Sequence, residues 1–402
     1  MRLFVLLALV SASSAFAKPL NWEVVSVSPV CQAGLFCVRE EVGPQVVKAG
    51  VISRLIQMAE RAQAAGGSLN MAFMSFTEPT LFHALCDLTK KGLPLDGFFD
   101  SKAGPPTGLG YRLESECQGP KGNNVRMFYM GMPKGDTTEW RLHHNKFFLT
   151  QTKDKVEMAF GSANLSRNGV SVNFENWNFL SAPARTPFVS DHICDLQAMR
   201  AARLAKSDQD DPDVFRAELE KCLTYKDTAP EQADRILKKD GVWALFSPDA
   251  QDRNFKILKA QIDQVVRGGR IRMAAYIFSH RQLAKALSKA QARGVTIELL
   301  IDDDIQHKKF YKEVLSPEIS KFTTRVFDTN EQIFQMQHNK FLVFEGVGEL
   351  GRTRVFAGAG QHTTWAFVGN YENFYLIETP ELVRQFTALY DSVWALGAPV
   401  TP

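Results

Sequence analysis

Two short stretches of this chain place an imidazole and an ammonium group two residues apart, His144-Asn145-Lys146 and His338-Asn339-Lys340. In an extended strand, residues at that spacing share a face. Each pair therefore presents a nucleophile or proton carrier beside a positive charge. The runs that follow, Phe147-Phe148-Leu149 and Phe341-Leu342-Val343, predict buried strands, where such groups are costly without an anionic ligand or partner. Cleavage of a phosphate diester needs this inventory twice over. A nucleophile must attack phosphorus, an acid must protonate the departing alkoxide, and cations must offset the non-bridging oxygens. A lone His-x-Lys carries little weight, as His307-Lys308-Lys309 illustrates: it follows the acidic run Asp302-Asp303-Asp304, has no counterpart elsewhere and reads as solvated surface. Neither that run nor any spacing of cysteines makes a convincing metal site, so no cofactor is expected.

The elements that must position these residues recur in order along the chain. Ser68-Leu69-Asn70-Met71-Ala72-Phe73-Met74-Ser75-Phe76 matches Arg270-Ile271-Arg272-Met273-Ala274-Ala275-Tyr276-Ile277-Phe278. Each run reads as a buried strand. Each follows a helical pattern expected to stop at paired glycines, Gly66-Gly67 and Gly268-Gly269, and leads into a helix, Pro79 to Lys91 or His280 to Arg293. A second apolar strand ending in Asp comes next, Leu93 to Asp100 and Val295 to Asp302, completing a parallel crossover in each half. Beyond the His-x-Lys strands lie Asn173-Phe174-Glu175-Asn176 and Asn370-Tyr371-Glu372-Asn373, then helices opened by Thr186-Pro187 and Thr379-Pro380. Repetition of this extent divides the chain into a first half over residues 18–205, a charged connector over 206–241 and a second half over 242–402. The connector is expected to be helical and solvated. Ser101 to Asn124, rich in Gly and Pro, reads as a loop preceding the first His motif.

With Gly161-Ser162-Ala163-Asn164 between the first His motif and its Glu-Asn pair, the constellation resembles the phospholipase D superfamily. That family carries His-x-Lys, four residues, Asp, then Gly-Ser-x-Asn and a later Glu-Asn. The resemblance covers residues 45–397 and implies an α/β fold of two phospholipase D-like domains packed with pseudo-two-fold symmetry, their His-x-Lys strands meeting at the axis. It also implies a metal-independent reaction through a phosphohistidine. We assign His144 as nucleophile because its half keeps the fuller motif, and His338 as general acid, with the reverse assignment open. Lys146 and Lys340 would offset phosphate charge, and Ser162 and Asn164 would donate to the phosphate. Glu175 and Glu372 would accept from the far ring nitrogen of each histidine, fixing its tautomer and orientation. The chain departs from the pattern at Gln151 and Glu345, which stand at the Asp positions, and at Gly358-Ala359-Gly360-Gln361, which lacks the Ser and the Asn. A lopsided site is therefore expected.

The beginning of the chain reads as an export signal: Arg2, the apolar run Leu3 to Val10, then Ala15-Phe16-Ala17 as a cleavage site. Cleavage after Ala17 would leave a secreted or periplasmic protein. Six cysteines, none beyond Cys222, fit an oxidising compartment. Cys194 and Cys222 are the first candidates for a disulfide, joining the last helix of the first half to the connector. Net charge is only +3 in 402 residues, which permits an anionic substrate without the basic excess of a dedicated nucleic-acid binder. The resulting expectation is a monomeric, exported phosphodiesterase, a phospholipase D that degrades lipid by releasing head groups at a membrane surface. A metal-independent exported nuclease and a non-catalytic phosphodiester-binding protein are the alternatives.

Overall fold

Mostly apolar strands of two to eleven residues build two sheets with the same internal order. The first contains β1 (Asn21–Val27), β2 (Ser68–Phe73), β3 (Leu95–Asp100), β4 (Val125–Met130), β5 (Lys146–Gln151), β6 (Lys155–Gly161) and β7 (Glu175–Pro183). Its strands lie in the order β1-β7-β6-β5-β2-β3-β4. The second contains β8 (Val242–Ser247), β9 (Val265–Ala275), β10 (Thr296–Asp302), β11 (Thr323–Phe327), β12 (Lys340–Val347), β13 (Arg352–Gly358), β14 (Glu372–Ile377) and β15 (Ala398–Pro399), in the order β15-β11-β10-β9-β12-β13-β14-β8. In this computed structural model the described residues are 20–27, 50–103, 108–131, 141–206, 209–249, 252–303, 316–328 and 335–400. The export signal, Cys31, Cys37, Asp304 and His307-Lys308-Lys309 lie outside them.

The parallel crossovers sit where the apolar runs predict. Strand β2 pairs in parallel with β3, and β9 with β10, through the helices Pro79–Lys90 and Arg281–Ala292. Each His-x-Lys strand then adds antiparallel to the central strand of its half, β5 to β2 and β12 to β9. Every residue of β3 and nearly every residue of β5 and β12 is buried, so these strands are hydrophobic on both faces. One core runs through both halves. It gathers Trp22, Phe147, Phe160 and Phe188 from the first with Phe341, Tyr371, Tyr375, Phe386 and Tyr390 from the second. The helices Pro187–Leu204 and Pro380–Leu396, each opened by the expected Thr-Pro pair, supply much of it. The result is two α/β domains of matching strand order joined through a continuous apolar interface.

Three local expectations give way. Gly268-Gly269 does not end a helix: the helix Arg253–Gln264 stops earlier, and both glycines fall inside β9. Residues 101–124 are not all loop, because Leu109–Glu116 forms a helix that buries Leu113 and is tied to the helix Pro79–Lys90 by a Cys86–Cys117 disulfide. Nor is the connector simply solvated. Its helices Pro212–Cys222 and Ala233–Asp240 bury Phe215, Leu219, Ile236 and Leu237 on one face, and Asp210 is fully enclosed. The expected Cys194–Cys222 disulfide is formed and anchors the first of these helices.

Candidate active site

The two His-x-Lys motifs converge because each half holds the other's motif by the same set of backbone bonds. Tyr371 donates its N–H to the Leu142 carbonyl at 2.9 Å, and the His144 N–H returns to the Tyr371 carbonyl at 2.8 Å. In the symmetric position Phe174 donates to Met336 at 2.9 Å and His338 to Phe174 at 3.0 Å. Asparagine side chains extend the match: Asn370 Oδ1 accepts from Leu142 N at 3.0 Å and Asn173 Oδ1 from Met336 N at 3.2 Å. Asp100 and Asp302 accept from the backbone N–H of the residue just before each histidine, both at 2.8 Å. These aspartates were legible as strand ends, but not as tethers for the histidine strands.

Two matched glycines allow this closeness. A Cβ on Gly161 would stand 2.1 Å from the Asn176 carbonyl oxygen, and one on Gly358 would stand 2.2 Å from that of Asn373. A side chain at either place would push the Glu-Asn strand away from its neighbour. The carboxylates carried by that strand are thereby fixed in depth.

The carboxylates reach across the interface rather than within their own half. His144 Nδ1 lies 2.7 Å from Glu372 Oε2, and His338 Nδ1 lies 2.7 Å from Glu175 Oε1. Both histidines, both glutamates, Lys146 and Lys340 are almost wholly buried. Lys146 Nζ donates to the His144 carbonyl at 3.0 Å, and Lys340 Nζ donates to the His338 carbonyl and, at 3.4 Å, to that of Ser162. Burial drives the ammonium groups toward neutrality: Lys146 falls to about 8, and Lys340 is also pushed well down, although the nearby glutamates oppose the shift. An anion entering the site would restore their charged forms. Burial likewise lowers His338 to about 4, against the pull of Glu175, and lowers His144, with the two lysines adding to the effect.

The adjacent His143 faces away from this cluster. Its ring contacts the Phe73 carbonyl and Met199 Sδ in the core, where burial pushes it down to about 3. Tyr276 packs against the His338 ring at 4.8 Å between centroids, a neighbour that the sequence motifs did not point to.

The halves differ most around the Gly-Ser-x-Asn positions. Ser162 Oγ accepts from Asn176 N at 3.0 Å and donates to Glu175 Oε2 at 2.6 Å, so its hydroxyl is committed to the carboxylate rather than free for a phosphate. Ala359 occupies the equivalent strand position and has no hydroxyl to give Glu372. Asn164 keeps its side-chain oxygen buried without a protein partner, whereas Gln361 spends its oxygen on Ile277 N at 3.1 Å.

A buried Arg141–Asp210 ion pair lies just upstream of the first motif, and the Tyr371 hydroxyl also donates to Asp210. Through it the connector grips both the His144 strand and the residue next to Glu372.

Residues 55–199 and 258–394 match the family model for the PLD-like domain of cardiolipin synthase. A mitochondrial cardiolipin hydrolase of Drosophila melanogaster is 24% identical over 156 residues, 35% of this chain and 59% of that protein. A phospholipase D of Rickettsia conorii is 28% identical over 151 residues, 37% of this chain and 68% of that protein. The chain thus spans less than two thirds of the Drosophila relative. Among solved structures, phosphatidylserine synthase from Haemophilus influenzae aligns over 87% of this chain and 86% of its own, with a TM-score of 0.56 at 11% identity, a likeness of fold. Two matched segments, each containing one His-x-Lys strand and one Glu-Asn strand, cover most of the sequence, and the chain belongs to the phospholipase D superfamily.

Proposed function

We propose that this protein is an exported phosphodiesterase that cleaves phospholipid head groups by double displacement through a phosphohistidine. One observation carries the chemistry: two buried imidazoles, each 2.7 Å from a carboxylate of the opposite half, lie in one cluster with two buried ammonium groups. Such a site has no use for that much uncompensated polarity unless a doubly coordinated anion enters it. The histidines divide the roles of nucleophile and acid-base catalyst between them, Lys146 and Lys340 offset the charge that builds on the non-bridging oxygens, and Asn164 adds an amide. Glu175 and Glu372 orient the rings across the interface. All the reacting groups come from the chain itself.

Lipid is favoured over nucleic acid by two supports. The relatives' names include a cardiolipin hydrolase and a phospholipase D, and the net charge of +3 offers little of the counterion-releasing surface that drives nucleic-acid binding. Export rests on the N-terminal pattern and is supported by the two disulfides among the described residues. No helix among those residues is long and apolar enough to cross a membrane, and the proposed contact with lipid is peripheral.

The test is a side-by-side assay of purified protein on phosphatidyl lipids, cardiolipin and DNA, with His144→Ala and His338→Ala as controls. Head-group release that disappears in both variants, with circular dichroism unchanged, is the expected result. Cleavage of DNA alone would replace the lipid reading, and activity within about tenfold of wild type in either variant would remove that histidine from the chemistry.

A further inference from the structure

We propose that the single difference between Ser162 and Ala359 divides the labour of the two histidines, making His338 the nucleophile and His144 the general acid. This deepens the phosphodiesterase reading and rests on it. Ser162 Oγ accepts from the Asn176 N–H, so its own proton points to Glu175 Oε2 at 2.6 Å. The other oxygen of Glu175 faces His338 Nδ1, with the Asn173 amide 3.5 Å away. With the Ser162 donor on one oxygen and the Asn173 amide and His338 Nδ1 at the other, the ionised form is the better supported one. His338 then carries its proton on Nδ1, and the Nε2 lone pair is left to attack phosphorus.

Glu372 sits in the same register, but its neighbour is Ala359. One of its oxygens accepts from Asn370 Nδ2 at 3.1 Å and the other faces His144 Nδ1. It lacks the hydroxyl donor, so its ionised form is less well supported. The charged and titratable groups facing it are His144, Lys146 and Lys340; those facing Glu175 are His338, Lys146 and Lys340, with Asp100 acting on Lys146 and Asp302 on Lys340. Burial pushes Glu372 up to about 8 against Lys146 and Asn370. Burial opposes ionisation of Glu175 as well, yet the contacts with His338, Lys340 and Ser162 hold it below the usual carboxylate range. The His144–Glu372 pair therefore holds one proton more than the His338–Glu175 pair near neutral pH. The proton count of each pair matters here, rather than which atom carries each proton.

The reaction balances on that difference. The Nε2 lone pair of His338 forms the nitrogen–phosphorus bond while the bond to the leaving oxygen breaks with its electron pair. That oxygen takes the Nε2 proton of His144, and the proton held with Glu372 moves to His144 Nδ1. Water then attacks phosphorus and gives a proton to His144 Nε2, the Nδ1 proton returns to Glu372, and the nitrogen–phosphorus electron pair returns to His338. Ser162 and Ala359 act through the glutamates, so Ser162 is a positioning residue.

Bis(p-nitrophenyl) phosphate separates the roles, because p-nitrophenolate departs without an acid. The His144→Ala variant should still release one equivalent of p-nitrophenol, at a rate within about tenfold of wild type, and should accumulate a p-nitrophenylphosphoryl adduct that peptide mapping places on His338. The His338→Ala variant should release none. An adduct on His144, or a burst in His338→Ala with none in His144→Ala, would overturn the division while leaving the phosphodiesterase reading intact. Wild-type protein that neither turns over this diester nor forms an adduct would overturn that reading, and the division with it.

The carboxylate argument has its own readout. Ser162→Ala should move the acid limb of the kcat/KM profile upward by about one pH unit, and Ala359→Ser should move the alkaline limb downward by a similar amount. A lower rate with both limbs in place would mean that these positions are merely structural, and would overturn it.

Discussion

Replacing each glutamate by glutamine should damage the two halves of the site very unequally, although the two carboxylates are related by the pseudo-two-fold axis. In Glu175→Gln the Ser162 hydroxyl still accepts from Asn176 N, and its own proton keeps a partner only by facing the amide oxygen, which it therefore selects. The new NH2 group then faces His338 Nδ1. That ring must accept on Nδ1 and carry its proton on Nε2, which is the tautomer that cannot attack phosphorus. The variant also loses a charge-assisted bond of 2.7 Å in a buried place, worth about 1.5 to 3 kcal/mol. At 1.4 kcal/mol per decade, kcat/KM should fall by about tenfold to about a hundredfold, and further where the tautomer is enforced. In Glu372→Gln the donor is Asn370 Nδ2, which again selects the amide oxygen and turns the NH2 group toward His144 Nδ1. For a leaving group that departs without an acid that is harmless; for an alkyl leaving group it is not, because an amide cannot pass a proton to Nδ1 as Nε2 gives one up. The arrangement reproduces a protonated carboxyl group and keeps the proton of His144 on Nε2. A neutral bond exchanged for a neutral bond costs about 0.5 to 1.5 kcal/mol, or about two- to tenfold.

The assay is kcat/KM at pH 7 on bis(p-nitrophenyl) phosphate, which needs the nucleophile but no acid for the leaving group. Thermal unfolding of each variant runs alongside, so that a folding defect is not read as a catalytic one. An equal loss in the two variants, or a larger loss in Glu372→Gln, would refute the unequal protonation of the two pairs.

Activity should survive EDTA, since Lys146 and Lys340 supply the positive charge; loss with chelator that a divalent metal restores would contradict this. Removing the Cys86–Cys117 bridge by Cys→Ser changes opens a loop with a separation of 31 residues and should cost about 3 to 4 kcal/mol in the loop-entropy account, read as a lower midpoint in urea. Asp100 is raised from 3.8 to about 6, chiefly by burial, so folding favours its protonated form. That preference contributes stability in full below its unfolded pKa, and the contribution is lost as pH rises through about 6. Asp100→Asn keeps one acceptor and turns an NH2 group toward the other of the two backbone N–H groups, Lys102 and His143, that the side chain accepts from, so it should cost about 1 to 3 kcal/mol near pH 3.5 and recover up to about 3 kcal/mol relative to wild type at pH 8, measured by urea unfolding at both values. A variant as destabilised at pH 8 as near pH 3.5 would mean that the bond to His143 N needs the charge.

What the residues betray in one dimension are things that local chemistry and repetition encode. The apolar runs at Ser68–Phe73 and Val265–Ala275, the Thr-Pro helix starts and the two His-Asn-Lys-Phe strings are local signals, and their order along the chain reveals the duplication. The Cys194–Cys222 bridge was within reach because the last helix of the first half and the connector are neighbours in sequence. Partners far apart were not. The bonds between His144 and Glu372 and between His338 and Glu175 join residues 228 and 163 apart, and only the packing of one sheet against the other decides that each glutamate serves the opposite histidine. Ser162 was misjudged for a related reason. A hydroxyl in a Gly-Ser-x-Asn string looks free in sequence, and its commitment to Glu175 depends on how closely Gly161 lets β7 approach. The helix Leu109–Glu116 was hidden by the glycines and prolines on its N-terminal side, and the buried face of the connector by the charges on its other face.

The crossed carboxylates have a consequence for how such a site can evolve. A half alone holds a histidine and a lysine, but the carboxylate that orients its histidine, and the asparagine that tethers its strand, belong to the other half. Two identical halves assembled as a symmetric dimer would complete the site equally well. They would also be bound by symmetry, because any substitution beside one glutamate would appear beside both. A serine at both positions would hold both glutamates ionised and supply two nucleophiles with no preferred acid; an alanine at both would do the reverse. Such a dimer must break its symmetry through the substrate. In one continuous chain the halves are free to differ, and Ser162 opposite Ala359 is a difference placed where it changes proton count while leaving the strand register alone. The departure from the repeat that looks like decay in the second half is, in physical terms, what allows its histidine's partner to be the better nucleophile support and the other pair to be the better acid.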